Sequence, residues 1–186
     1  MLIISAEMMS KLADWTDRAS CVLFGDGAAA CIVTKGNALK YLKLTAKGNI
    51  DILNIPLGTG NSPFQEKRPN GFVNMLGQEV FKFAVFMIES QSKSALEELN
   101  MTADDIDYFV LHQANKRIIE SARKRLNQPK EKFPINIQKY GNTSSVSIPI
   151  LMDEMLEDGR IKKGTKLFLS AFGAGLTTGT CVMIWE

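Results

Sequence analysis

An α/β layered fold, with a mixed, mostly parallel sheet and crossover helices, is the class this sequence predicts. Three observations carry that prediction. Short apolar runs alternate with stretches of helical periodicity from residue 74 to the C-terminus. Strands separated by helices pair in parallel, because a parallel connection needs a crossover of a dozen residues or more. The 186 residues, 45% hydrophobic and 23% charged, are enough for one sizeable core.

Element by element, Leu2–Ser5 reads as a short buried strand, followed by a helical or irregular piece. SCVLFGDGAAACIVTK is an apolar run broken at Gly25-Asp26-Gly27, a tight-turn signal between two strands. Residues 39–46 (LKYLKLTA) alternate apolar and polar, as a half-exposed strand does. LGTGNSPFQEKRPNG, residues 57–71, is a long glycine- and proline-rich loop with the length of a functional one. The pattern turns helical from Asn74 to Leu99, and its middle, VFKFAVFMI, is apolar on nearly every face, which predicts a helix buried between layers. A strand at 107–111, a helix at 113–127 and a short strand near 134–138 follow. A helix over 144–158 closes on Gly159, the residue type that ends helices, and strands at 166–171 and 178–185 finish the chain.

The net charge of +2 favours neither a nucleic-acid binder nor an enzyme for acidic substrates. Cys21, Cys31 and Cys181 are too few and too scattered for a disulfide framework or a zinc site, so they are expected as buried, reduced thiols of a cytoplasmic protein. No apolar stretch reaches membrane-spanning length, and MLIISAEMMS lacks the elements of a signal peptide.

Ligands of open α/β sheets gather beyond the carboxyl ends of strands. His112, the only histidine, stands there at the end of the 107–111 strand. Asn142, in YGNTSSVSIP, precedes the next long helix, and AFGAGLTTG (171–179) leaves its strand at the same edge. Glycines flanking Ala174 let its backbone N–H approach a ligand. An imidazole, a carboxamide and a bare N–H form a set suited to charge on a carbonyl oxygen. Each also has a plain structural reading: a hydrogen-bonded histidine, a helix N-cap, an ordinary glycine loop. The helix after His112 carries Ile118, Ile119, Ala122 and Leu126 on one stripe and Lys116, Arg117, Arg123 and Lys124 on the other. That basic face is either simply solvated or a seat for an anionic partner.

Taken in order, LHQAN with its following R-I, GNTSS and AFGAGLTTG resemble β-ketoacyl-acyl carrier protein synthase III, the condensing enzyme that initiates type II fatty acid synthesis. LFGDGAAA and MLGQEVFKFAV extend the likeness from Ile3 to the C-terminus. The resemblance implies the second half of a thiolase-like αβαβα fold: residues 1–35 as the last strands of the first half, 36–186 as the whole second half. It implies decarboxylative condensation of an acyl-CoA primer with malonyl-acyl carrier protein. His112 and Asn142 match the pair that binds the malonyl thioester carbonyl, and the Ala174 N–H matches an oxyanion-hole donor. Arg18 matches an arginine near the coenzyme A nucleotide, Asn115 a residue near the pantetheine arm, and Gly77 and Phe81 positions of the acyl pocket. Lys82, Arg117, Lys124 and Arg125 match the basic surface that receives the acidic carrier protein. No cofactor or metal is implied, nor a nucleic acid or membrane partner; a homodimer is.

The sequence departs from the family at two points: Ala174 stands where many relatives have glycine, which leaves the main-chain N–H unaffected, and the nucleophile has no counterpart. The family's nucleophilic cysteine starts a buried helix in the N-terminal half, and none of the three cysteines here has that setting. The chain alone is therefore expected to perform no condensation, to bind carrier protein at most, and to associate with itself or with an N-terminal half through uncovered apolar surface near residues 80–88. Chalcone-synthase-like enzymes and 3-hydroxy-3-methylglutaryl-CoA synthases share the fold, and a polyketide-type synthase stays open as an alternative.

Overall fold

The computed structural model describes residues 1–56 and 71–186. The 57–71 loop expectation falls almost wholly outside these residues. Strands β1 (Leu2–Glu7) and β2 (Gly27–Ile32) form an antiparallel ladder, with Leu2 opposite Ile32 and Glu7 opposite Gly27. Strand β3 is Leu39–Ala46, and the short strands β4 (Leu53–Asn54) and β5 (Asn74–Met75) pair with each other. Helix α1 (Gly77–Glu98) follows, then β6 (Tyr108–Leu111), α2 (Lys116–Arg125), α3 (Ile137–Tyr140), α4 (Ser147–Glu157), β7 (Lys166–Gly173) and β8 (Thr177–Ile184).

The main sheet has the order β3-β8-β7-β6. It is mixed, as expected, but the balance is reversed: only β6 and β7 run parallel, while β7–β8 and β8–β3 are antiparallel. The reason is local. Residues 174–176 make a tight turn between β7 and β8, far too short for a crossover.

Both faces of β6 and β7 are covered, which explains their continuous apolar runs, whereas edge strand β3 is exposed at Leu42 and Leu44. Phe109, Leu111, Phe168 and Val182 point to the α1–α2 side, where they pack with Ala84, Val85, Ile88, Ile119 and Ala122. Val110 and Leu167 point the other way, against Leu151 and Met155 of α4. Helix α4 also touches β2, so the layers run ladder, α4, sheet, then α1 with α2. Three rings lock the centre: Phe109 stacks on Phe133 at 4.7 Å between centroids and leans on Phe168 at 5.3 Å. Gln91 of α1 is buried but satisfied, its Nε2 donating to Thr178 Oγ1 at 2.5 Å while Thr180 donates to its Oε1.

Four expectations are corrected. The strand near 134–138 is instead an irregular segment, 134–136, leading into the short helix α3: Pro134 has no N–H to give a ladder, and the Asn136 N–H goes to Gln113 Oε1. No hairpin forms across Gly25-Asp26-Gly27, because Gly25 N–H bonds to Asn142 O and β2 pairs with β1. Leu2 and Ile4 of β1 are 61% and 67% exposed, so the first strand is not buried. None of the three cysteines is fully buried: Cys21 lies half-buried in a turn, Cys31 is exposed, and Cys181 is half-buried in β8, where burial pushes its thiol up to about 11. Helix α1 is buried along Val80, Ala84, Val85 and Ile88, yet Phe86 on its outer side is 61% exposed.

Candidate active site

His112 continues β6 by one residue, its N–H bonded to Ser170 O of β7 at 2.9 Å. Asn142 follows α3, and its backbone is clamped on both sides by the 23–25 segment. Asn142 N–H donates to Leu23 O at 2.8 Å, and Asn142 O accepts from Gly25 N–H at 3.0 Å. The approach is so close that a Cβ on Gly25 would lie 1.9 Å from Tyr140 O. Gly141, at φ +71°, turns the chain into this clamp. Ala174 sits at the turn after β7. These three residues, from three separate segments, line one cavity of about 940 Å³.

Two of these side chains, Asn142 and His112, are held by hydrogen bonds. Asn142 Oδ1 accepts the N–H of Ser144 at 2.9 Å, which leaves the Nδ2 hydrogens for a ligand. Ser144 adopts φ +54° to make that bond, a conformation costing a non-glycine residue roughly 1–3 kcal/mol. His112 is buried, its Nδ1 is 2.6 Å from Ser147 Oγ, and its ring meets the Phe172 edge at 5.3 Å. Burial lowers its pKa to about 4, so the imidazole is neutral at neutral pH. A neutral imidazole, a carboxamide and a turn amide can stabilise negative charge on a carbonyl oxygen without exchanging a proton.

Of the other residues named from sequence, Gly77, Phe81, Lys82, Asn115 and Arg117 also line the cavity. A Cβ on Gly77 would meet nothing within 4 Å, so space alone does not demand glycine there. Asn115 caps α2, its Oδ1 accepting Arg117 N–H at 2.8 Å, and Arg117 spreads over the Phe81 ring at 5.8 Å. Arg18 is exposed and outside the lining, though its neighbour Ala19 is in it. Lys124 and Arg125 lie farther along α2, away from the cavity. Lys82 and Arg125 are each paired, with Glu79 and Glu89 at 2.7 Å. Among the described residues no group of three or more His, Cys, Asp or Glu could hold a metal, and no helix is long and apolar enough to cross a membrane.

Sequence reasoning missed the bracing of the site. Glu154 of α4 accepts hydrogen bonds from Lys139 Nζ (2.7 Å), Asn136 Nδ2 (2.9 Å) and Tyr140 OH (2.7 Å), tying down the turn that leads to Asn142. These bonds, that from Lys139 first, hold its carboxyl at about 2. Its partners lie 14–18 positions away, beyond any helical or strand spacing. Stability against pH should therefore show two windows. A depressed carboxylate contributes above its ordinary value near 4.5 and loses that contribution as pH falls toward 2. His112 resists protonation in the fold, so stability also falls between pH 6.5 and about 4, by roughly 3 kcal/mol. Glu154→Gln should cost about 1–3 kcal/mol at neutral pH, mostly through Asn136 and Tyr140 because water screens exposed Lys139. It should also flatten the lower window in urea melts taken from pH 2 to 7. An unchanged acid limb would contradict the brace.

Comparison with known proteins gives a consistent result. Residues 96–185 match the family described as 3-oxoacyl-[acyl-carrier-protein (ACP)] synthase III C terminal, and residues 1–48 match 3-oxoacyl-[acyl-carrier-protein (ACP)] synthase III. A β-ketoacyl-[acyl-carrier-protein] synthase III of Clostridium acetobutylicum is 43% identical over 189 residues, covering 99% of this chain and 58% of the relative. The structure of a synthase III from Thermus thermophilus superposes with a TM-score of 0.87 at 40% identity, over 100% of this chain and 59% of that one. The priming β-ketosynthase of the R1128 polyketide pathway gives 0.89 at 27% identity, over 100% and 57%. The chain thus spans about three fifths of the length of these relatives.

Proposed function

Since the chain belongs to the 3-oxoacyl-[acyl-carrier-protein] synthase III family, whose fold is thiolase-like, we propose that it supplies the malonyl-activating half of a decarboxylative condensation. The observation that carries this reading is the convergence of His112, Asn142 and Ala174 on one cavity. A malonyl thioester bound there would place its carbonyl oxygen against the His112 Nε2 and Asn142 Nδ2 donors, while the Ala174 N–H would serve the oxyanion formed when the acyl thioester is attacked. As carbon dioxide leaves, the electron pair of the broken C–C bond becomes the enolate, and the two side-chain donors stabilise its oxygen. Each is worth roughly 3–4 kcal/mol in such a setting. The enolate carbon then attacks an acyl thioester, displacing a thiolate and forming the β-ketoacyl product. Initiation of fatty acid biosynthesis in the cytoplasm is the role this chemistry fits.

Of the remaining assignments, Gly77, Phe81, Lys82, Asn115 and Arg117 line the same cavity, and Arg18, Lys124 and Arg125 lie outside it. Phe81 and Gly77 would bound the acyl group, and Asn115 and Arg18 would lie along the pantetheine and nucleotide of coenzyme A. Arg117 and Lys82 at the cavity, with Lys124 and Arg125 beyond, would receive an acidic acyl carrier protein. Exposed Phe86 and the exposed side chains of β1 support association, as a homodimer or with the first half of a synthase.

A second reading has its own observation: among the described residues, no cysteine lines the cavity. The 186 residues by themselves then act as a carrier-binding module, and the acylated thiol comes from outside them. Incubation with radiolabelled acetyl-CoA, followed by precipitation, decides this. No stable thioester label is expected on the chain; label retained on Cys21, Cys31 or Cys181 would show that one of them serves as nucleophile.

A further inference from the structure

From the contacts around Ser147 we infer that its hydroxyl is the positioning group that selects the His112 tautomer, directing the imidazole proton to Nε2. Ser147 is the first residue of α4 and only 3% exposed. Its Oγ has two partners among the described residues: His112 Nδ1 at 2.6 Å and the backbone N–H of Gln113 at 3.3 Å. The two partners are not equivalent. The Gln113 amide can only donate, so Oγ must accept there. The serine proton then needs an acceptor, and Nδ1 is the one within reach. Were Nδ1 also to donate, the hydroxyl would carry two incoming hydrogens and its own proton would be left unpaired in a buried site. The amide thus sets the serine, the serine sets Nδ1 as acceptor, and Nε2 carries the hydrogen.

Gln113 is held in turn. It is 1% exposed, its Nε2 donates to Leu111 O at 2.7 Å, and its Oε1 accepts Asn136 N–H at 3.2 Å. The relay therefore rests on the packed end of β6 rather than on a loop. Its catalytic meaning depends on the reading above: only an Nε2–H faces a substrate oxygen as donor, whereas the other tautomer would present a lone pair to it.

The test needs no activity assay, because the chain holds a single histidine. Nitrogen-15 labelling of histidine gives two ring resonances, and their couplings to the ring hydrogens identify the protonated nitrogen. The parent chain at pH 7 is expected to show a protonated Nε2 and a pyridine-like Nδ1. Ser147→Ala should lose that single pattern and move toward Nδ1–H or an exchange average. Ser147→Thr, which keeps a hydroxyl, should retain it. A parent spectrum with the proton on Nδ1, or a parental spectrum from a folded Ser147→Ala chain, overturns the inference. The parent measurement stands even if the alanine variant fails to fold. Failure of the malonyl reading would leave these spectra untouched, so the two are separable.

Discussion

His112→Ala or Asn142→Ala, made in a synthase of the relatives' full length carrying these residues, is expected to slow malonyl decarboxylation about a hundredfold or more. The size follows from what is removed. Each variant deletes one of the two side-chain donors, and the other cannot shift to cover the gap: Asn142 is pinned by Leu23, Gly25 and Ser144, and His112 by Ser147. Lost transition-state stabilisation appears in kcat, with little change in the affinity for malonyl-carrier protein, because the oxygen gains its charge only during the reaction. Carbon dioxide release from labelled malonyl-carrier protein measures the rate, and circular dichroism checks that the fold persists. Near-parental decarboxylation by either variant would remove that residue from the proposed chemistry.

Phe109→Ala should produce the largest loss of stability, about 3–5 kcal/mol. Phe109 has no exposed surface, stacks on Phe133 nearly face to face at 5° between planes, and touches Phe168. Truncation leaves a void between β6, β7 and the turn at 130–133, and two further rings lose their partner. Urea midpoints, extrapolated with the parental slope, would report it. A loss below about 1 kcal/mol would mean that the neighbouring rings collapse into the space.

Much of this architecture could be read from residue order. The periodicity over 74–99, 113–127 and 144–158 anticipated α1, α2 and α4, and φ +77° at Gly159 agrees with its expected position past the end of α4. The apolar runs at 107–111, 166–171 and 178–185 became β6, β7 and β8. Strand direction was not legible in the same way. Alternation of element types records that a helix lies between two strands, but β3 and β8 are far apart along the chain, and their antiparallel pairing is decided by packing. Residues 134–138 are too short and too mixed for their period to separate strand from helix.

The site divides along the same line. His112, Asn142 and the Ala174 turn stood out because each follows or precedes an element in a recognisable motif. Ser147 sits within the same motif, yet its partner is 35 positions away and a serine early in a helix is unexceptional. The Asn142 backbone looked like ordinary loop because its hydrogen bonds run to Leu23 and Gly25, far upstream in the chain. Expected burial of Cys31 failed for a related reason: alternation along β2 marks two faces but not which of them another layer covers.

The clamp between 23–25 and 140–142 has a bearing on how such a chain can diverge. Gly25 and Gly141 each face the opposite backbone at a distance that leaves little or no room for a methyl group, so neither position accepts a side chain while the two segments stay clamped. A gene break or recombination crossover near residue 35 would separate stretches that heredity must nevertheless keep matched, and the carboxamide's address in the cavity travels with that match.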